Sequence, residues 1–172
     1  MSITDISVII VSWNTQNILC DCLRSIYEQY GEIDLEVIVI DNASIDGLVE
    51  MVKKDFQQVT FIENSQNRRF AAANNQGIAV ARDRYVLLFN SDTVILDKAI
   101  EKTVSFADVR QETVVVGCRI LNSDRTLQST CFMFPSILNM LLSTSYLYEL
   151  FPKSTFFGRV RYYGAFIENV TR

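Results

Sequence analysis

The residues best equipped for chemistry are Asn90, Ser91 and Asp92, which close the run Tyr85-Val86-Leu87-Leu88-Phe89. An unbroken apolar run ending in turn chemistry reads as a strand buried on both faces, as in a parallel sheet. Ligands of open α/β sheets sit beyond the carboxyl ends of the strands. Asn90 and Asp92 fall on alternate positions, hence on one side of the chain. A carboxylate and an amide there suit a hard cation, Mg²⁺ or Mn²⁺, which prefers oxygen ligands and shares them with substrate phosphates. The competing reading is an Asx turn that serves only the backbone.

The same polar signature recurs twice upstream. Ile6 to Val11 is a β-branched apolar run ending on Ser12-Trp13-Asn14, and Leu35 to Ile40 is a second, ending on Asp41-Asn42. In a parallel sheet the three polar ends converge on one edge, which is the main argument for a site.

The intervening segments must supply the scaffold. Ile18, Leu19, Cys22, Leu23, Ile26 and Tyr30 fall at helical spacing, with Asn14 or Thr15 as cap and Gly31 as stop. Leu48, Val49, Val52 and Phe56 form the apolar face of a second helix, capped by Ser44 or Asp46. Val59 to Ile62 is a short third strand, followed by a polar loop from Glu63 to Arg69. Phe70 to Arg82 is Ala-rich and helical, and its internal Asn74 and Asn75 are poor helix formers, which points to another task. A helix from Asp97 to Ala107 and a buried strand from Thr113 to Cys118 follow. Alternation of strand and helix with short links predicts an α/β fold with a right-handedly wound, mostly parallel sheet. Beyond Arg119 the rhythm breaks: a turn at Asn122-Ser123-Asp124-Arg125, a short strand pair between Leu127 and Phe134, and a helix with a broad apolar face from Ile137 to Leu150.

Composition narrows the class. The 172 residues are 49% hydrophobic and 21% charged, enough for a sizeable core. A net charge of −4 argues against a nucleic-acid partner. There is no histidine, which removes the commonest general base and zinc ligand. Cys20, Cys22, Cys118 and Cys131 show no CxxC spacing, and no secretory signal or membrane-spanning run is evident, so reduced thiols in a cytoplasmic protein are expected. The first strand is not followed by G-x-G-x-x-G, and neither a P-loop nor a nucleophile elbow is present.

The chain resembles the family 2 inverting glycosyltransferases of the GT-A fold, in particular their rhamnosyltransferase-like branch. The resemblance is carried by Ser7 to Asn14, Val37 to Gly47, Phe70 to Gly77 and Tyr85 to Asp92, in order and at matching spacing over about the first 120 residues. It implies a donor-binding domain over residues 1–120 and the start of an acceptor-side region over 121–172. Val11 and Asp41 would touch the base of a nucleotide-sugar donor, with Ser12, Asn14 and Asn42 beside them and Asp46 supporting the loop. Asn67, Asn74 and Asn75 would line the donor pocket. Asn90-Ser91-Asp92 stands where the family has its D-x-D motif, with Asp92 as metal ligand. The implied reaction is metal-assisted transfer with inversion to a saccharide or lipid-linked acceptor, in bacterial cell-surface polysaccharide synthesis. Association with the inner membrane surface and a homodimer are both compatible with it.

Two departures qualify the resemblance. The family pattern Asn-x-Gly-Phe reads Asn67-Arg68-Arg69-Phe70 here. Glycine tolerates positive φ and arginine does so poorly, so three outcomes are open: a rearranged loop, cations offered to a diphosphate, or two solvated arginines. Gly164-Ala165-Phe166 matches a segment that precedes the catalytic base in relatives, but no acidic motif follows before Arg172. The base and most of the acceptor site are therefore expected to lie outside this chain, which would then be a fragment, a short gene product, or a donor domain working with a partner. Two alternatives stand beside this reading. A sugar-phosphate nucleotidyltransferase would need a Gly-rich loop where Ser12 to Gln16 has none. A non-catalytic assembly domain would use the apolar face of Ile137 to Phe151 as its interface.

Overall fold

The computed structural model describes residues 5–128, apart from positions 30 and 111. The chain divides into two compact units after Val116. The first carries β1 (Ile6–Ser12), α1 (Gln16–Gln29), β2 (Leu35–Asp41), α2 (Leu48–Asp55), β3 (Thr60–Glu63), α3 (Arg69–Val80), β4 (Tyr85–Asn90) and α4 (Ala99–Val109). The expected helix from 137 to 150, most of the 127–134 strand pair and Gly164 to Phe166 lie outside the described residues. No helix among the described residues is long and apolar enough to cross a membrane.

The four strands form one all-parallel sheet in the order β3-β2-β1-β4. β1 and β2 are apolar at nearly every position because helices cover both of their faces. Val8, Ile10, Val37 and Val39 pack against Leu19, Leu23 and Ile26 of α1, Leu48 and Val52 of α2, and Ile100 and Val104 of α4. Ile9, Ile38 and Ile40 face the other way, onto Ala73 of α3. Gly77 makes that second contact possible. A Cβ there would stand 2.6 Å from Ile9 Cγ2 and 3.0 Å from Ile40 Cδ1, so the helix approaches the sheet as closely as its backbone allows.

Three expectations require correction. β4 is not buried on both faces: Tyr85, Leu87 and Phe89 join the larger core, but Val86 and Leu88 are 45% and 51% exposed. α3 lies over β1 and β2 only, which leaves this edge strand bare on that side among the described residues. Thr113 to Cys118 is not a strand. β-branched residues favour extended backbone, but a strand exists only by pairing, and Val114 and Val115 are almost fully exposed. Ile18 sits at the flank of α1, half exposed, and the stripe Leu19, Cys22, Leu23 and Ile26 carries the packing alone. The second unit is described over residues 117–128. There the turn at Asn122 to Arg125 forms as expected, closed by Arg125 N–H donating to the Asn122 carbonyl at 2.9 Å and flanked by a bridge between Leu121 and Leu127.

At the sheet edge opposite the polar strand ends, Arg84 pairs with Asp5 and Asp108 at 2.9 Å each, and the Tyr85 hydroxyl donates to Asp108 at 2.8 Å. The cluster ties the starts of β1 and β4 to the end of α4. Arg84 first, and Tyr85 second, hold the Asp108 carboxyl below the usual carboxylate range. A carboxyl depressed in the folded state stabilises fully above its unfolded value, about 3.9, and loses that contribution as pH falls through the lower folded value. The melting-temperature difference between the native chain and Asp108→Asn is therefore expected to be largest at neutral pH and to close at the acid end, below about pH 3.9. A difference that grew toward acid would refute the pairing.

Candidate functional site

Strand register brings the polar ends to one edge. Ser12 pairs with Asp41, Val11 with Asn90, and Asp41 with Glu63. The loops leaving this edge are stitched to one another. Asn42 N–H donates to the Ser12 carbonyl at 2.9 Å. Asn14 N–H donates to Ser44 Oγ at 2.8 Å, and Ile45 N–H returns a bond to Asn14 Oδ1 at 2.9 Å. The expected caps of α1 are replaced by a longer-range one. Thr15 Oγ1 is engaged with Ser12 Oγ at 2.6 Å, and Gln16 N–H is met by Asp46 Oδ2 at 2.8 Å, from the loop before α2. Asp46 Oδ1 accepts from Leu48 N–H at 3.3 Å. One carboxylate thus serves two helix N-termini, where negative charge is favoured by the helix dipole.

Asp41 and Asn42 are both buried. Among the described residues the Asp41 carboxylate meets one donor, the Ser44 N–H at 3.1 and 3.2 Å, which leaves acceptor capacity unused. Asn42 Oδ1 accepts from Arg68 N–H at 3.3 Å and from Asn64 Nδ2 at 3.2 Å. Asn67 Oδ1 accepts from Arg69 N–H at 2.8 Å and so caps α3. Arg69 itself takes φ 64°, the left-handed region. Arginine here occupies the backbone conformation that favours glycine, and both Arg68 and Arg69 are exposed. Asn14 and Ala43 also have positive φ, so three of the chain's non-glycine residues in this region border the same edge. Such strain persists only where the surroundings enforce it.

On the β4 side the Asp92 carboxylate is exposed, and among the described residues its one hydrogen bond comes from Thr93 Oγ1 at 3.5 Å. Beneath it, Cys22 of α1 points its Sγ at the Asn90 carbonyl, 3.8 Å away. Burial, reinforced by the charge of Asp92, pushes the Cys22 thiol up to about 12, so it is an inert packing group. Among the described residues no group of three or more Cys, Asp or Glu side chains could hold a metal alone. A single exposed carboxylate beside the exposed Asn90 amide fits only a cation that draws its other ligands from water and substrate phosphates, the habit of Mg²⁺.

Ser12, Asn14, Asp41 and Asn42 are thus linked through the loop after β2, Asp46 and Asn67 bond to the starts of the neighbouring helices, and Val11 pairs with Asn90, which Ser91 and Asp92 follow. Asn74 is buried in α3 with Nδ2 donating to the Phe70 carbonyl at 3.0 Å, while Asn75 is exposed. Among the described residues neither side chain bonds to the loops. Two residues were missed by sequence reasoning, Asn64 and Gln76, which exchange two amide hydrogen bonds of 2.9 Å. A signal existed: Asn64 follows β3 by one position, as Asn42 follows β2.

Known proteins resemble this chain in sequence and in fold. The poly(ribitol-phosphate) beta-glucosyltransferase of Bacillus spizizenii is 28% identical over 117 residues, 65% of this chain and 18% of that protein. The putative glycosyltransferase EpsE of Bacillus subtilis is 27% identical over 136 residues, 77% of this chain and 49% of the relative. The chain therefore spans less than half the length of each. Among solved structures, S. aureus TarS in complex with UDP-GlcNAc superposes with TM-score 0.56 at 22% identity, covering 62% of this chain and 32% of that one. A mannosyltransferase from Pyrobaculum calidifontis, in complex with GDP-Man and Mn²⁺, gives 0.52 at 25% identity, covering 60% and 31%. These neighbours identify the sheet and helices as a GT-A fold. Residues 7–159 match the family described as Glycosyl transferase family 2, and the chain belongs to that family.

Proposed function

We propose that this chain forms the donor-binding part of an inverting, metal-assisted glycosyltransferase that moves a sugar from a nucleoside diphosphate to an acceptor hydroxyl. The observation that carries this reading is the register that aligns Ser12, Asp41 and Asn90 at one sheet edge. Asp41, buried and with free acceptor positions, takes an N–H of the nucleobase, and Val11 covers the base. Asn14 and Asp46 hold the surrounding loops, and Asn67 presents the start of α3. Asn74 and Asn75 flank the donor from α3. Asp92, with Asn90 beside it, holds Mg²⁺ or Mn²⁺. When bound, the cation supplies positive charge to the departing diphosphate. Arg68 and Arg69 add guanidinium donors to the same phosphates. The acceptor is a saccharide or lipid-linked saccharide, used in cell-surface polysaccharide synthesis at the cytoplasmic side of the membrane. The four sequence motifs favour the rhamnosyltransferase-like branch. Titration calorimetry with UDP, dTDP and GDP, with and without Mn²⁺, tests the reading. Metal-dependent heat with at least one nucleotide is expected, and none with any of the three would end it.

Arg69 gives a separable test. Left-handed backbone costs a non-glycine residue about 1–2 kcal/mol, and glycine's extra unfolded-state freedom offsets about 0.5–1. Arg69→Gly is expected to raise stability by about 0.5–1 kcal/mol while weakening nucleotide binding. Chemical denaturation and calorimetry on the same sample should move in opposite directions. Unchanged affinity would mark both arginines as solvated bystanders.

A further inference from the structure

We propose that Asn64 is a positioning residue for the donor diphosphate, acting through an amide clamp with Gln76 and Asn42; this rests on the donor-binding reading above. Asn64 is 7% exposed and Asn42 3%. Both donors and one of the two acceptor positions of the Asn64 side chain are engaged. Its Nδ2 donates to Asn42 Oδ1 at 3.2 Å and to Gln76 Oε1 at 2.9 Å, and its Oδ1 accepts from Gln76 Nε2 at 2.9 Å. Its own N–H donates to the Asp41 carbonyl at 3.0 Å. One residue after β3 therefore grips the end of β2 and the flank of α3 together.

A buried polar group of this kind is not needed to hold α3 on the sheet. Ala73 and Gly77 already do so against Ile9 and Ile40, without any hydrogen bond. What apolar packing cannot supply is an acceptor for the unpaired N–H groups before the first turn of a helix. Asn42 Oδ1 is that acceptor for Arg68, and Asn64 fixes the rotamer in which it reaches Arg68. One residue further, Asn67 holds Arg69 in its left-handed conformation. The clamp thus sets where the two guanidinium side chains stand at the carboxyl edge. Through its side chain Asn64 bears on the phosphate side, by way of Asn42 and Arg68; its bond to Asp41 runs through the backbone N–H, which a substitution at Asn64 keeps, and Asn14, Ser44 and Asp46 stitch the nucleobase side by separate bonds.

The test uses the full chain with Mn²⁺ and whichever of UDP, dTDP or GDP binds it most tightly, compared with the matching nucleoside measured by NMR shift titration. Asn64→Ala is expected to weaken the diphosphate about tenfold while leaving the nucleoside within about twofold. Gln76 is only partly buried, so its variants keep the test alive if Asn64→Ala fails to fold. Gln76→Leu is expected to match Asn64→Ala. Gln76→Glu keeps the bond from Asn64 Nδ2 but sets a carboxylate oxygen against Asn64 Oδ1, so its loss is expected to be no smaller than that of Gln76→Leu, and full native affinity would count against the clamp. Undiminished diphosphate affinity in Asn64→Ala or in Gln76→Leu would overturn the proposal, as would a loss shared equally by nucleoside and diphosphate. If the native chain binds none of the three nucleotides, the donor reading falls and takes the proposal with it.

Discussion

Asp92→Ala is expected to weaken metal-dependent nucleoside diphosphate binding by about a hundredfold, close to 2.8 kcal/mol at 1.4 kcal/mol per decade. The reasoning is electrostatic. A cation held by one protein carboxylate and the substrate's own phosphates loses its only anionic anchor on the protein when that carboxylate goes. Among the described residues no cluster of acidic side chains stands by to replace it. The substitution is also a clean one. Asp92 is exposed and among the described residues hydrogen-bonds only with Thr93 Oγ1, at the long distance of 3.5 Å, so its removal should cost under about 0.5 kcal/mol of stability. Ser91→Ala is the control, expected to stay within about twofold. Calorimetry with and without Mn²⁺ reads both. Equal losses in the two variants would mean that the turn matters as backbone and that Asp92 does not carry the ion.

Gly77→Ala is expected to lower stability by about 2 kcal/mol, from two opposing contributions. Alanine favours a helix interior over glycine by about 1 kcal/mol. Overpacking a close-packed core costs up to about 3 kcal/mol, and the contacts here are at the severe end. The new Cβ would be 2.6 Å from Ile9 Cγ2, a methyl fixed to a branch point that cannot swing aside, and 3.0 Å from Ile40 Cδ1. Both isoleucines are fully buried. In a domain of this size 2 kcal/mol corresponds to a fall in melting temperature on the order of 10 °C. Ile9→Ala, costly alone, should combine with Gly77→Ala less than additively because it removes the obstructing methyl. A rise in melting temperature for Gly77→Ala would show that α3 does not approach the sheet so closely.

Much of the parallel sheet and its helices was legible in the sequence. Apolar runs at Ile6 to Val11 and Leu35 to Ile40, interrupted only by Ser7 and Glu36, read as buried strands of a parallel sheet, and they are. The Ala-rich stretch was correctly helical to within two residues at either end. The same logic failed at β4 and at Thr113 to Cys118. Apolar content reports what a strand could bury, whereas its position in the sheet and the reach of α3 decide what it does bury. The capping of α1 was misread for a related reason. Asn14 and Thr15 have the right chemistry and the right place, but Asp46, thirty positions away from Gln16, reaches the helix first.

By itself the sequence determined the α/β class, the order of the elements and the polar strand ends, because side-chain period and turn chemistry are local properties that spacing records. Only the tertiary structure decided that Arg69 keeps a glycine-like backbone, that Asp46 serves two helices, and that Asn64, Gln76 and Asn42 form one clamp. Each of those depends on which loops meet at the sheet edge, and that is set by strand order and register. Hydrogen-bond partners 12 to 30 residues apart leave no periodic trace along the chain.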